Sequence, residues 1–426
     1  MRETAGLRET HGLRETHGLS ETHAVRETEG QRHVTWDGFA AQYWGQRPTR
    51  LTAPSPLDAA RAHELIVESA EPFRAGTVYR ALPKVRLHTS RGWLGAPGRL
   101  LPDADDKSAQ QYLARAGGEL TVPGLLLSVR QPLHLDHGVW TAVRDELAGL
   151  WRAVGWPCLP VESELTEAQQ FTWDRGMGAP CEHAVLIWVI EGAMEVELWP
   201  EAGGGPVELA ASAGELLYWP EGYRSRERHA QRSVTLRVQV PRARHLATAA
   251  VRTLLADAVH DRLGHDGSVP LLPFPAPTPP DGPTAVAPEL ARVGEAAGAA
   301  LAQGGPARTL RLRWAALRSA AGLDPAPPPR PSTPPAVGRR FKVVAEIVRI
   351  PDGPGRWIWA AGGHAFPVGG AAGERIAEQL IPDRELTVAE LCRAVGADEH
   401  NTAVPALLGK LVGLRAVEML DDRGQQ

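Results

Sequence analysis

The chain has 426 residues, with 46 Lys and Arg against 50 Asp and Glu and a formal net charge of -4, a balance too near neutrality to make nucleic acid or an anionic membrane the main partner. Hydrophobic residues make up 43%, enough for about two to three packed domains, and an apolar run of the roughly 18 residues that a membrane span needs is missing. Cys158, Cys181 and Cys392 have no CxxC spacing, which excludes a disulfide framework and suits a reducing cytoplasm.

The first residues form a hexad array, RETAGL, RETHGL, RETHGL, SETHAV and RETEGQ. A six-residue period sustains no helix stripe, and Gly recurs, so disorder is expected over 1–32. His11, His17 and His23 recur with the array; a low-complexity extension explains them better than a metal site. The alternating charge has no apolar core of the secretory kind, and the expected location is cytoplasmic. FAAQYWGQRPTRL (Phe39 to Leu51) reads as a helix ending in a Tyr-Trp pair. Pro56 to Ser69 is a fair amphipathic helix with an Asp near its start, and Val139 to Val154 another, with Val139, Val143, Leu147 and Trp151 as its buried stripe. His134 and Asp136 form an HxD before it, but Asp136 is explained more simply as a helix cap.

Strand signals then take over. Val185 to Ile190 is an apolar β-rich run, Glu191 and Gly192 a turn, and Met194 to Trp199 an alternating run, which together predict a hairpin. Gly214 to Gly222 is a strand closed by a Pro-Glu-Gly turn, and Val234, Leu236, Val238 and Val240 mark a further strand. Arg242 to Leu263 reads as a helix. Pro270 to Pro283 and Pro325 to Pro335 are extended linkers by composition, with helices at Pro288 to Ala302 and Ala307 to Ala320 between them. The last module begins with the alternation Val343, Ala345 and Ile347. Thr387 caps a helix at Val388 to Ala394, and Ala403 to Leu411 forms a second helix before a strand at Ala416 to Leu420.

On these segments the chain resembles the cupin-like JmjC family of iron(II) and 2-oxoglutarate oxygenases, in its ribosomal-protein hydroxylase branch. The resemblance implies an α+β chain: a double-stranded β-helix (jelly-roll) domain over 33–240, a helical, proline-rich region at 241–338 that members of this branch use to dimerise, and a winged-helix domain at 339–426. It also implies an iron held by a His-x-Asp or His-x-Glu before the hairpin and a His after the Pro-Pro-Gly-like turn. Aligned on the Glu-Gly turn, the first pair falls on Ala179 and Cys181 or on Pro180 and Glu182, and the last ligand on Ser225. The His is absent in every register. The basic run that would hold a keto acid is here Ala193, Met194 and Glu195, where Glu195 would repel it.

Three functions stay open. In the first, the chain keeps the fold and peptide groove but has lost the metal chemistry, and binds a polypeptide. In the second, it is an active iron(II) and 2-oxoglutarate oxygenase of a protein or ribosomally made peptide, with substitute ligands among Glu182, His183 and His229. In the third, it is a winged-helix DNA regulator; PALLGKLVGL, with Lys410 as its sole basic residue, suits a packing helix better than a major-groove reader. Trp173, Glu182, His183, Trp188, Tyr218, Ser225 and Arg237 are the residues expected to line the pocket.

Overall fold

The computed structural model describes residues 35–75, 83–175, 182–241, 305–398 and 402–420, with a few positions between 294 and 302. The hexad array, the segment Arg242 to Leu263, the first proline-rich stretch and most of the helix expected at Pro288 to Ala302 lie outside these residues, as do Ala179, Pro180 and Cys181. Among the described residues no helix is long and apolar enough to cross a membrane.

The first part is a sequence of α1 (Trp36–Gln42), β1 (Thr49–Thr52), α2 (Ala59–Arg74), β2 (Lys84–Thr89), β3 (Gly92–Leu94), α3 (Ala109–Leu120), β4 (Leu125–Arg130), α4 (His137–Val154), β5 (Glu162–Gln169), β6 (Phe171–Arg175), β7 (His183–Pro200), β8 (Val207–Ser212), β9 (Glu215–Trp219), β10 (Tyr223–His229) and β11 (Ser233–Pro241). Capping chemistry places the helices. Asp58 accepts from the amide of Arg61 at 2.8 Å and starts α2 three residues later than the composition suggested, and Asp136 accepts from Val139 at 2.8 Å and starts α4. Such a cap is worth about 1 kcal/mol. The predicted stripe of Val139, Val143, Leu147 and Trp151 is buried.

All the strand pairing in this part is antiparallel. One layer runs in the order β1-β9-β7-β11-β5-β4-β2-β3, and the other joins β8, the second half of β7, β10 and β6. The strand β7 belongs to both layers, and the hairpin expected at Glu191 and Gly192 is instead the corner where it passes from one to the other. Gly192 sits at φ 75°, and a Cβ there would run into the carbonyl of Arg232 on the neighbouring chain segment. A residue with φ > 0 and no room for a side chain must be glycine. The register against β11 shifts beside it, between Val234 and Thr235, as a bulge at a sheet corner does.

The layers face each other through Val185, Ile187, Val189, Leu217 and Trp219 on one side and Met194, Val196, Leu198 and Ala211 on the other. The outer face of the larger layer carries the main core, in which Leu127, Leu165, Leu186, Trp188, Tyr218 and Leu236 pack against α1 to α4. Within that core His63 of α2 bridges Glu167 of β5, at 2.7 Å, and the carbonyl of Asp106, at 2.8 Å. Burial opposes its protonated form, but the hydrogen bond and charge of Glu167 outweigh it and raise its pKa.

The C-terminal part comprises α5 (Gly305–Ser319), β12 (Arg340–Val343), β13 (Val348–Pro351), β14 (Arg356–Ala361), β15 (His364–Gly369), α6 (Ala371–Gln379), β16 (Glu385–Thr387), α7 (Val388–Ala394), α8 (Ala403–Gly413) and β17 (Val417–Leu420). Of the alternation Val343, Ala345 and Ile347, only Val343 lies in a strand, at the end of β12; Ala345 and Ile347 fall in the connection before β13. The second proline-rich stretch is no free linker. Its Arg330 amide donates to Gly413, Ser332 Oγ donates to the Gly409 carbonyl at 2.6 Å, and His364 Nε2 meets the Pro327 carbonyl at 2.8 Å. It lies on α8 so closely that a Cβ on Gly409 would stand 3.2 Å from Pro334. The apolar character of α8 follows from that cover. Lys410 rests over the Phe366 ring, 4.2 Å from its centre.

Thr387 and Glu390 form a full capping box on α7. Thr387→Ala is expected to cost about 1 kcal/mol, read as a lower urea midpoint with unchanged slope; an unchanged midpoint would mean that the box contributes nothing.

Candidate functional site

The inner face of the larger layer can be followed across the strands by register. One row is Lys84, Arg130, Glu164, Arg237, Ile187 and Leu217; the next is Arg86, Ser128, Thr166, Thr235 and Val189; the third is His88, Leu126, Ala168 and Ser233, with Trp93 of β3 beyond His88. From β9 to β2 the surface therefore passes from apolar, through buried and charged, to exposed and cationic. Period-2 alternation is the cause: β11 puts Thr235 and Arg237 inward and Val234, Leu236 and Val238 against the helices, and β5 puts Glu164 and Thr166 inward with Leu165 and the His63-bonded Glu167 on the helical side. From the facing layer, β10 contributes Ser225, Glu227 and His229, opposite Arg175, Trp173 and Phe171 of β6.

Two arginines and two glutamates close a ring between the layers. Arg175 donates from Nη2 to Glu164 Oε2 at 2.7 Å and lies 3.4 Å from Glu227 through Nε; Arg237 donates to Glu227 and lies 3.7 Å from Glu164. Arg237, Glu164 and Glu227 are all but fully buried, each with a side chain no more than 5% exposed. Burial pushes the Glu164 pKa up, but the charges of Arg175 and Arg237 outweigh that and hold it below the usual carboxylate range. Arg175 lies over the Trp173 ring at 3.3 Å, and Arg237 lies 5.6 Å from the centre of the Trp219 ring. His88 sits against Trp173, 4.9 Å between ring centres, and burial lowers its pKa, with Arg175 adding to the effect.

Of the residues expected at the pocket, Trp173, Ser225 and Arg237 meet here. Trp188 and Tyr218 do not; both lie on the opposite face of the layer in the helical core, where the Tyr218 hydroxyl accepts from the Gly45 amide at 2.7 Å. The reason is alternation: Ile187 and Leu217 take the inward places, so their neighbours face out. Glu182 precedes β7, and His183 begins it opposite Pro241. His229 is hydrogen-bonded to Ser233, at 2.7 Å, at the other end of β11. Eight residues of strand separate those ends, roughly 26 Å at 3.3 Å per residue, so His183 and His229 cannot share one ion.

The donor set of the described residues therefore does not fit a ferrous site. Among the described residues no three His, Cys, Asp or Glu side chains are grouped to hold a metal. Ser225, where the resemblance puts the last ligand, pairs across the strands with Arg175. A cation placed beside it would face guanidinium groups, and the two nearby carboxylates are already engaged. Glu164, Arg175, Glu227 and His88 were not among the expected site residues. The signal that could have found Glu164 is the alternation in ESELTEAQ, where a second polar set recurs every two residues inside a buried strand.

No protein-family model matches the chain, and no curated protein does. Among solved structures it is similar to the X-ray structure of YcfD from Escherichia coli, at 15% identity and a TM-score of 0.47, covering 92% of this chain and 99% of that one. A second structure of that protein, described as a ribosomal oxygenase in complex with cobalt and 2-oxoglutarate, is 15% identical with a TM-score of 0.45, over 92% of this chain and 100% of the other. The EutQ protein of Clostridium difficile matches 19% of this chain and 57% of its own length, with 18% identity and a TM-score of 0.15. At such identities the chemistry of the site has to be read from this chain's own residues.

Proposed function

We propose that the protein is a jelly-roll module that binds a polypeptide without oxidising it. The observation that carries this reading is the closed ring of Glu164, Arg175, Glu227 and Arg237, which fills the space between the layers with neutralised charge where an oxygenase of the JmjC kind would keep ligands for iron and a keto acid. A binding role is supported by the open side of the sandwich. Lys84 and Arg86 are exposed on the inward face of β2, Arg130 is half-exposed beside them, and Trp93 is 63% exposed in the same register. Such a floor offers an extended segment aromatic contact and cationic partners for backbone carbonyls and acidic side chains.

The experiment has two arms. Anaerobic titration of purified protein with ferrous ion and 2-oxoglutarate is expected to give no visible charge-transfer band and less than stoichiometric iron. One iron per chain, lost on His183→Ala or His229→Ala, would establish the active oxygenase instead. In the second arm, peptides selected from a random library are expected to bind Arg86→Glu about tenfold more weakly than the wild type, a difference of about 1.4 kcal/mol; equal binding would remove the groove.

The C-terminal module fits the same picture as a winged helix used for packing. The helix that would read DNA is the one covered by the proline-rich strap, with its single lysine engaged on Phe366.

A further inference from the structure

Taking the β2 and β3 floor as the polypeptide groove proposed above, we infer that its ligand is an acidic segment in extended form. Two carboxylates two residues apart lie over Lys84 and Arg86, and an aromatic side chain two residues further on lies against Trp93 and His88. The spacing is set by β2 itself. Lys84, Arg86 and His88 alternate with the buried Val85 and Leu87, so the three share the inward face at steps of roughly 6.6 Å. An extended polypeptide also repeats every two residues, and one that runs along β2 brings every second side chain over this row. β3 ends the layer, so among the described residues the row is open on that side.

Charge on this row is unmatched. Lys84 stands directly opposite Arg130 in the strand register, and like charges so placed disfavour the pairing. Arg130 is engaged by Glu162, and Glu164, the next carboxylate across the strands, is held by Arg175 and Arg237. Asp174 lies on the outer face of β6 with Arg226. Lys84 and Arg86 are exposed, and among the described residues neither has a carboxylate partner. The far end of the row is aromatic instead. Trp93 is the register partner of His88 and is 63% exposed, and the His88 ring lies 4.9 Å from that of Trp173. The Trp173 face is already taken by the Arg175 guanidinium at 3.3 Å, which leaves Trp93 as the indole open to a ligand. A nucleic acid offers negative charge and rings as well, but it carries a phosphate at every nucleotide. Two unpaired cations and one exposed indole, on a chain of net charge -4, match two carboxylates and one ring better.

The test uses the full chain and fluorescein-labelled probes read by anisotropy at low salt, where screening is weak. The probes are Glu-Ser-Glu-Ser-Phe flanked by glycines, its Gln-Ser-Gln-Ser-Phe and Lys-Ser-Lys-Ser-Phe counterparts, and oligouridylate. The acidic peptide is expected to bind about tenfold more tightly than the glutamine peptide, which is two exposed ion pairs in the upper part of their usual range. The lysine peptide is expected to bind most weakly. In the double variant Lys84→Gln with Arg86→Gln, the acidic and glutamine peptides are expected to bind alike. Its affinity for the glutamine peptide stays that of the wild type, which also shows that the variant is folded. Trp93→Ala is expected to weaken both peptides by the same factor. Equal binding of the acidic and glutamine peptides by the wild type would overturn the acidic preference and leave the groove in place. Failure of all three peptides would overturn it too, and the library selection described above then decides the groove itself. Oligouridylate bound more tightly than the acidic peptide, and released in the double variant, would assign the floor to RNA. Self-association in sedimentation, abolished by the same variant, would assign it to a second copy of the chain.

Discussion

Replacing Arg237 by leucine is expected to destabilise the protein by about 3–5 kcal/mol, the usual cost of removing one partner from a buried ion pair. The magnitude follows from what stays behind. Glu227 loses its direct donor, Glu164 loses a guanidinium 3.7 Å away, and both carboxylates remain among apolar groups with Arg175 as their one shared countercharge. The interior cannot relax by admitting solvent cheaply, since the side chains of Arg237 and both glutamates are at most 5% exposed. The double variant Arg237→Leu with Glu227→Leu leaves Arg175 and Glu164 as a complete pair and is expected to recover most of the loss. Urea unfolding followed by tryptophan fluorescence checks this, with Trp219 close to Arg237 as a reporter. A single-variant loss below about 1 kcal/mol, the range of an exposed pair, would mean that the ring is solvated and would remove the argument that it fills the cofactor space.

How much of this was legible in the sequence depends on the range of the interaction that decides each feature. Local rules placed α4, because Asp136 and the four-residue stripe lie within one stretch of chain, and they placed the Thr387 cap for the same reason, with Glu390 completing the box in the structure. They failed at Gly192. A Glu-Gly pair between two β-rich runs has the composition of a hairpin turn, and the corner is fixed by the Arg232 carbonyl forty residues on, which no local spacing reveals. They failed again for Trp188 and Tyr218. Both faces of β7 and β9 are buried here, so an apolar run says that a strand exists without saying which face is the inner one. Arg237 lies on the inward face of β11, opposite Glu164 of β5. Its partners Glu164, Arg175 and Glu227 come from three other strands and meet only through the register of β5, β6, β10 and β11.

The register also explains how the charged interior between the layers is held. Every inward position of β10 and β11 must be filled, and a buried polar group is tolerated only when it is paired. Ser225, Glu227 and His229 alternate along β10, and each finds a partner or neighbour on β6 or β11. The apolar end of the sandwich supplies cohesion, and the ring supplies a charged middle that excludes a further cation. The polypeptide groove proposed above would then lie on the uncovered strip of β2 and β3.

His229 gives the second large effect, one that depends on pH. Burial lowers its pKa from the ordinary 6.5 to about 4; Glu227 opposes the shift, and Arg237 and Arg175 add to it. Its Nδ1 is bonded to Ser233 Oγ, and Nε2 is buried without a partner, so the second proton of a charged ring finds no acceptor. A histidine held neutral in the fold but free to protonate on unfolding contributes stability that is complete above about pH 6.5 and is lost as pH falls toward 4. Over that window the loss amounts to about 3 kcal/mol at 1.36 kcal/mol per unit. Other histidines titrate there as well: His88 and His134 are shifted the same way, and His63 the opposite way. The comparison must therefore be between profiles. His229→Gln keeps a polar group within reach of Ser233 and cannot protonate, so its stability between pH 6.5 and 4 is expected to fall about 3 kcal/mol less than that of the wild type. Parallel profiles would show that water or a displaced strand accommodates the charged ring, and that the end of β10 is not sealed against the facing layer.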